Sequence, residues 1–296
     1  GEMETLAATL QPDWVVFTRI GPAHIEFFGS EAAIAAEKAR LAARLRPRGT
    51  VVAAADEPWF DVLCSATRAR VVTVALAEGA DFVGHVEPTP QGPRLEVRGR
   101  TGFVVRCMLP VRGEPFARAA LRAAAVAALA GADPNAVAAA IERFRPLPMR
   151  GDERVLGGVR WVDDAYNANP LSVRASVQTF AGDPAPRKWL VLGGMHELGA
   201  AASAEHRQVG REIAAGPWAG IVVVGELAAG FGDGAIEAGF PAARLYRCAS
   251  VGEAAELLAS RLEPGDAVLV KASRAERLET LMDEWSRRRG SVAEDG

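Results

Sequence analysis

Trp161-Val-Asp-Asp-Ala-Tyr-Asn-Ala-Asn-Pro170 decides how this chain is read. A β-prone lead-in over 155–162, broken by Gly157 and Gly158, runs straight into Asp163, Asp164, Tyr166, Asn167 and Asn169. Pro170 stops the run. The spacing of Leu171, Val173, Val177 and Phe180 then predicts a helix over 171–180. In α/β proteins a strand that ends in acceptors and opens onto a helix N-terminus is a ligand position, because the first helical N–H groups are unpaired and favour anions. Turns favour Asp and Asn for their own reasons. Two adjacent carboxylates and two carboxamides exceed what a turn needs, and they suit hydroxyls, a cation-bound phosphate or a peptide backbone.

C-terminal to this stretch, strands and helices alternate. Strands are expected over 189–192, 220–224, 244–246 and 267–270, and helices over 204–215, 227–239, 251–262 and 276–287. The tail after Arg289 is polar and expected to fray. The strand at 189–192 ends in Gly193-Gly-Met-His-Glu-Leu-Gly199, and that at 267–270 ends in Lys271-Ala-Ser-Arg274. Each is weak evidence alone, since glycine after a strand is ordinary turn chemistry. With the Asp-Asp turn they predict a doubly wound sheet with carboxylate, amide, hydroxyl and guanidinium groups on one rim.

N-terminal to it the pattern differs. A strand over 13–20, a helix over 31–45 with Ser30 as N-cap, and a strand over 50–55 make a parallel βαβ unit. Four short strands over 71–75, 81–86, 93–97 and 102–109 predict a small antiparallel subsheet beside the parallel core. An Ala/Leu/Val helix follows over 116–129, and Asp133-Pro134 caps another over 135–144. The Pro-rich Arg145-Pro-Leu-Pro-Met-Arg-Gly151 reads as a linker, so the expected domains are 1–147 and 148–296, both α/β.

The 296 residues are 49% hydrophobic and 6% aromatic, so the cores are built from Ala, Val and Leu. A formal charge of −3 points to neither nucleic acid nor a membrane surface. Three scattered cysteines, Cys64, Cys107 and Cys248, fit a reducing cytoplasm and form no disulfide framework or metal knuckle. No apolar run is long enough to span a bilayer. The chain starts Gly-Glu-Met, which reads as a trimmed polypeptide. It contains no Gly-x-x-x-x-Gly-Lys-Ser/Thr loop, nucleophile elbow or CxxC pair.

Two further positions invite a functional reading. His24 at a strand end and Lys38 on the next helix could share a site, although a loop histidine and a solvated lysine are the commoner outcome. Arg150 lies in the linker, where a guanidinium suits a phosphate. His85 and the cysteines read as incidental.

Taken together, the Asp163–Pro170 run, Leu192-Gly-Gly-Met-His-Glu-Leu-Gly199, His206-Arg-Gln-Val-Gly210 and Val270-Lys-Ala-Ser-Arg274 resemble the C-terminal domain of the Mur ligases. They are most similar to the branch that adds D-Ala-D-Ala. Ile20-Gly-Pro-Ala-His-Ile-Glu26, Phe28-Gly-Ser30 and Ala36-Glu-Lys38 are similar to the second half of that family's central ATPase domain. The resemblance implies a partial central domain followed by a Rossmann-like ligase domain. It implies ATP and Mg²⁺ as cofactors, and UDP-N-acetylmuramoyl-tripeptide and D-Ala-D-Ala as partners, in peptidoglycan synthesis by a monomer. ATP would phosphorylate the tripeptide carboxylate, and the dipeptide amine would displace phosphate from the acyl phosphate. His24 and Lys38 are then expected at the metal, Lys38 in carbamylated form. Lys38, Arg150, Asn167 and Asn169 are expected in catalysis. Arg150, Asp163, Asp164, Tyr166, Lys271, Ser273 and Arg274 are expected at the nucleotide.

The departures are specific. Where the family has a His-Asn pair and a second Asn at the start of the helix after Gly113, this chain has Pro115, Phe116 and Ala119. Arg19 and Ala54 replace two further asparagines, Gly194 replaces an aspartate, and Ala272 replaces a glycine. Lost polar partners on the adenine side cost on the order of 1 kcal/mol each. A non-catalytic Mur-like binding paralogue and a sibling ligase for another amino acid therefore stay open. The family's phosphate loop is expected upstream of Gly1, and the 296 residues alone are expected not to hydrolyse ATP.

Overall fold

A computed structural model describes residues 1–23, 25–46 and 48–294. The chain divides into two compact units, Gly1–Arg145 and Pro146–Gly296.

The first unit opens with α1 (Glu2–Leu10), β1 (Trp14–Val16), α2 (Ile25–Phe28), α3 (Glu31–Ala43), β2 (Thr50–Ala54) and α4 (Phe60–Ser65). It continues through β3 (Arg70–Ala75), β4 (Phe82–Thr89), β5 (Gly92–Gly99), β6 (Val104–Met108), α5 (Glu114–Leu129) and α6 (Pro134–Glu142). Among the described residues its strands form one sheet in the order β1-β2-β3-β4-β5-β6. The first four are parallel, and β4 to β6 are antiparallel hairpins. The antiparallel strands thus continue the parallel sheet, and β3, expected in the antiparallel subsheet beside that core, pairs parallel on both sides. Caps set the helices as expected: Ser30 Oγ accepts from Ala33 N–H, and an Asp133 carboxylate oxygen accepts from Ala136 N–H. α5 buries one face only, through Ala117, Leu121, Ala124 and Ala125 against Val72, Val74, Leu95 and Val97. The helices α1, α2 and α4 escaped the pattern; α2 and α4, of four and six residues, carry too little periodicity to register.

The second unit contains β7 (Asp152–Leu156), β8 (Val159–Asp164), α7 (Pro170–Ala181), β9 (Lys188–Leu192), α8 (Ala202–Ile213), β10 (Trp218–Val224) and α9 (Ala229–Glu237). β11 (Leu245–Cys248), α10 (Val251–Arg261), β12 (Ala267–Lys271) and α11 (Leu281–Glu294) complete it. The sheet order is β11-β10-β9-β12-β8-β7, parallel except for the edge strand β7. This is the expected doubly wound arrangement. The lead-in to the opening stretch is a hairpin: Gly157 and Gly158 both take positive φ, 53° and 79°, as a two-residue turn between β7 and β8 requires. The helix expected over 276–287 begins as two short 3₁₀ turns, Arg274–Glu276 and Leu278–Thr280. The helical backbone of α11 continues to Glu294, through residues expected to fray.

Strand alternation sorts the second core into two layers. Trp161, Val191, Val222, Val224, Val268 and Val270 meet Leu258 of α10 and Met282 and Trp285 of α11. Trp161 and Trp285 touch edge to face with centroids 5.1 Å apart. On the other face α7, α8 and α9 pack side by side.

Candidate functional site

Register places the rim. β12 lies between β8 and β9, so Lys271 stands opposite Asp164 on one side and Leu192 on the other. The carboxyl ends of three strands far apart in sequence therefore meet at the point where the strand order reverses, which is the ligand position of open α/β sheets.

Lys271 ties this rim together. It is 3% exposed, and its ammonium lies 2.9 Å from an Asp164 carboxylate oxygen. It also donates to the carbonyls of Asn167, at 2.7 Å, and Asp164, at 3.2 Å. Burial pushes its pKa down, and the Asp164 carboxylate pulls it back. Asp164 also accepts from Ser176 Oγ at 2.5 Å, which fastens the turn to α7. Ser273 makes a second tie: its hydroxyl accepts from His196 N–H at 3.0 Å and donates to Ala168 O at 3.3 Å. His206 makes a third from α8. It is fully buried, its Nε2 accepts from Met195 N–H at 2.8 Å, and its Nδ1 donates to Ala202 O at 2.6 Å. Both ring nitrogens are spent in the neutral form, and burial holds the pKa below the ordinary value.

The expected site residues separate into builders and presenters. Lys271 and Ser273 are buried and serve the turns. Asn169 is the N-cap of α7, in a reciprocal capping box with Ser172, so its side-chain oxygen faces the helix it starts. Asp163 corrects the sequence reading most sharply. The alternation of β8 turns it inward, where it is 1% exposed and accepts from Ala165 N–H. Such a carboxylate shapes the turn and is turned away from solvent. The presenters are Arg150, Tyr166, Asn167 and Arg274, all exposed. The Arg150 guanidinium stacks 4.0 Å from the Tyr166 ring centroid. Asn167 uses its amide oxygen on Ala168 N–H, which leaves its NH₂ facing solvent.

Burial pushes the Asp163 pKa up to about 6, against the Ala165 N–H bond and the Arg154 charge, which pull it down. The contribution of such a group is fully present below its unfolded value near 3.8 and is lost as pH rises through about 6. Asp163→Asn keeps the oxygen that Ala165 needs and removes the charge. It is expected to stabilise the second unit at pH 7.5 by on the order of 1–2 kcal/mol, allowing for its unpaired NH₂. The gain should disappear below about pH 4. Thermal unfolding of both proteins across that range measures it, and unchanged nucleotide affinity would confirm that Asp163 is no ligand.

In the first unit His24 lies outside the described residues. Lys38 is half-buried on α3, next to Glu37, whose carboxylate accepts from Met3 N–H. At the ends of β1 and β2 lies a cluster that the sequence reading passed over. Arg118 of α5 grips Asp56 through two nitrogens, at 2.9 and 2.6 Å. Arg122 is buried and donates to Thr18 O, while its Nε has no partner among the described residues. Glu57 is 5% exposed with neither oxygen hydrogen-bonded, and Arg19 stands 3.7 Å away. The acidic pair after an apolar strand was its only sequence signal. Farther along, Phe116 and Ala119 line an open apolar cavity of about 390 Å³ with Ala120, Val137, Ile141 and Phe144. Burial pushes the three thiols up to about 11. Among the described residues no helix is long and apolar enough to cross a membrane.

Comparison with known proteins agrees with this layout. Residues 1–127 match the Mur ligase middle domain, and residues 149–274 match the glutamate ligase domain of Mur ligases. The UDP-N-acetylmuramoyl-tripeptide--D-alanyl-D-alanine ligase of Mycobacterium tuberculosis is 36% identical over 315 residues, covering 96% of this chain and 60% of that relative. MurF from Acinetobacter baumannii superposes with a TM-score of 0.86 at 25% identity, over 96% of this chain and 62% of that one. MurF of Thermotoga maritima, solved in complex with ADP, shares the fold with a TM-score of 0.83 at 23% identity, over 99% and 66% of the two chains. The chain thus spans about 60% of the length of the curated relatives it matches. With both domains matched in order and the strand-tip motifs gathered on one rim, the chain belongs to the Mur ligase family.

Proposed function

We propose that the protein containing this chain is an ATP-dependent amide ligase that adds D-Ala-D-Ala to UDP-N-acetylmuramoyl-tripeptide through an acyl phosphate, in the cytoplasm and as a monomer. The observation that carries this reading is the Asp164–Lys271–Leu192 register, which gathers three motif-bearing loops into a single braced rim. The 36% identity to a ligase of that name supports it.

In this reading Arg150, held against Tyr166, and Arg274 present guanidinium groups to phosphate or carboxylate oxygens. Asp164, fixed by Lys271 and Ser176, accepts from ribose hydroxyls. The exposed NH₂ of Asn167 donates to the carbonyl oxygen that gains charge as the amine attacks. The apolar cavity at Phe116 and Ala119 fits a flat heteroaromatic base by contact and offers its edge little hydrogen bonding. Mg²⁺ would offset phosphate charge when bound, with His24 and Lys38 as the residues the resemblance assigns to it. Among the described residues no group of three or more His, Cys, Asp or Glu is placed to hold a metal ion.

A second reading, a binding paralogue without turnover, is favoured by the loss of adenine-side amides at Phe116 and Ala119. One assay separates the two. The full-length gene product, given ATP, UDP-N-acetylmuramoyl-tripeptide and D-Ala-D-Ala, is expected to release phosphate in step with amide formation, and to stop when any one is withheld. Nucleotide binding without phosphate release under those conditions would establish the paralogue.

A further inference from the structure

A histidine–glutamate pair, His196 and Glu276, sits on the same rim. His196 Nε2 lies 2.5 Å from Glu276 Oε1. The carboxylate occupies space that three glycines leave open. A Cβ at Gly194 would lie 2.8 Å from Glu276 Oε1 and 2.7 Å from Leu227 Cδ2. One at Gly225 would lie 3.2 Å from Oε2, and one at Gly193 3.3 Å from Glu276 Cβ. Gly194 is the position where the family pattern carries an aspartate. A side chain there would force Glu276 and Leu227 to shift.

The pair is braced from beneath. His196 N–H donates to Ser273 Oγ, which also bonds Ala168 O, so the His196 backbone is tied through one hydroxyl to the Asn167–Ala168 turn. The preceding N–H, of Met195, is held by His206. With Glu276 ionised, Nε2 carries the proton and donates it. Nδ1 then has a lone pair, and it has no partner among the described residues. His196 is 41% exposed and Glu276 is 18% exposed. This is the arrangement of an oriented general base.

The other basic groups of the rim are committed. Asp164 is paired with Lys271 and Ser176, Asp163 is buried, and His206 has both nitrogens occupied. The titratable groups around His196 are Glu276, His206 and the adjacent Glu197, whose carboxylate is the weaker base by type.

We propose that His196, held by Glu276, accepts the proton from the incoming amine in the ligation, an assignment that rests on the ligase reading above. An amine arrives at neutral pH as an ammonium ion without a lone pair. Nδ1 takes one proton, and the freed electron pair forms the C–N bond to the acyl phosphate carbon. The C–O bond to phosphate then breaks, phosphate leaves with the electron pair, and the nitrogen sheds its second proton to water.

The test uses the full-length enzyme with two acceptors, D-Ala-D-Ala and hydroxylamine, which is already unprotonated at neutral pH. His196→Gln is expected to lower the ratio of dipeptide to hydroxylamine turnover by roughly 30-fold or more. Glu276→Gln keeps the shape and removes the charge, so it should move the acid limb of the dipeptide pH–rate profile to lower pH and leave the hydroxylamine profile in place. Equal losses with both acceptors in both variants, or an unchanged ratio, would overturn the assignment. Absence of amide formation from D-Ala-D-Ala by the wild-type enzyme would instead defeat the ligase reading itself. If His196→Gln does not fold, the Glu276→Gln profile decides alone.

Discussion

Replacing Lys271 with methionine is expected to cost the second unit about 3–5 kcal/mol, the range for removing one partner of a buried ion pair. The side chain is 3% exposed, and its ammonium satisfies an Asp164 carboxylate oxygen and the carbonyls of Asp164 and Asn167. Methionine fills the volume and satisfies none of them. The 164–167 turn should open, and turnover by the full-length enzyme should fall by roughly 100-fold or more, since the Asn167 amide then loses its placement. Urea unfolding of the chain measures the first effect and initial rates the second. Adding Asp164→Asn to Lys271→Met should recover part of the stability, because it removes the charge left unpaired, and should recover little activity. A Lys271→Met protein of wild-type stability would mean that the ammonium is not what holds the turn.

Gly234→Ala is expected to be at least as damaging, for a steric reason. α8 and α9 approach so closely that a Cβ at Gly234 would lie 1.9 Å from Arg207 O and 2.9 Å from Arg211 N. A Cβ at Gly210 would lie 2.2 Å from Phe231 O. These are backbone atoms of the facing helix, so no rotamer change relieves them, and the helices must move apart. Overpacking of this kind costs about 1–3 kcal/mol where side chains can yield and more where they cannot. A loss above about 3 kcal/mol is expected, lowering Tm by roughly 6–12 °C for a chain of this size. Because α8 carries His206, separation of the helices should also release Met195 N–H and loosen the 193–199 loop. Gly182→Ala is the control: the nearest atom to its Cβ would be 3.6 Å away, and its effect should be within about 1 kcal/mol.

Much of the architecture was legible in the residues. Apolar strands such as Trp189-Leu-Val-Leu192 and Ala267-Val-Leu-Val270 are buried on both faces and read as continuous hydrophobic runs. The helix caps Ser30 and Asp133 follow from side-chain oxygens next to unpaired N–H groups, a purely local matter, whereas Asn169 read as a catalytic group and its cap came from the structure. What was not legible is which polar side chain on a strand tip faces solvent. Asp163 and Asp164 are chemically alike and adjacent, and one residue of pleat turns the first into the core and the second onto the rim. Lys271 and Ser273 read as ligand groups, and their hydrogen bonds in the structure run to the turns beside them. Glu276 read as the start of a helix, and the 3₁₀ turn that holds it against Gly194 has no helical period to detect.

The sequence by itself determined the elements, their alternation, the caps and the family, since these depend on period, composition and neighbours within a few residues. Only the tertiary structure decided that β12 threads between β8 and β9, and with it which charges are buried, which are paired and which remain to meet a substrate. That choice depends on side chains more than a hundred residues apart, Asp164 and Lys271 among them, and no local pattern encodes the register that brings them within 2.9 Å.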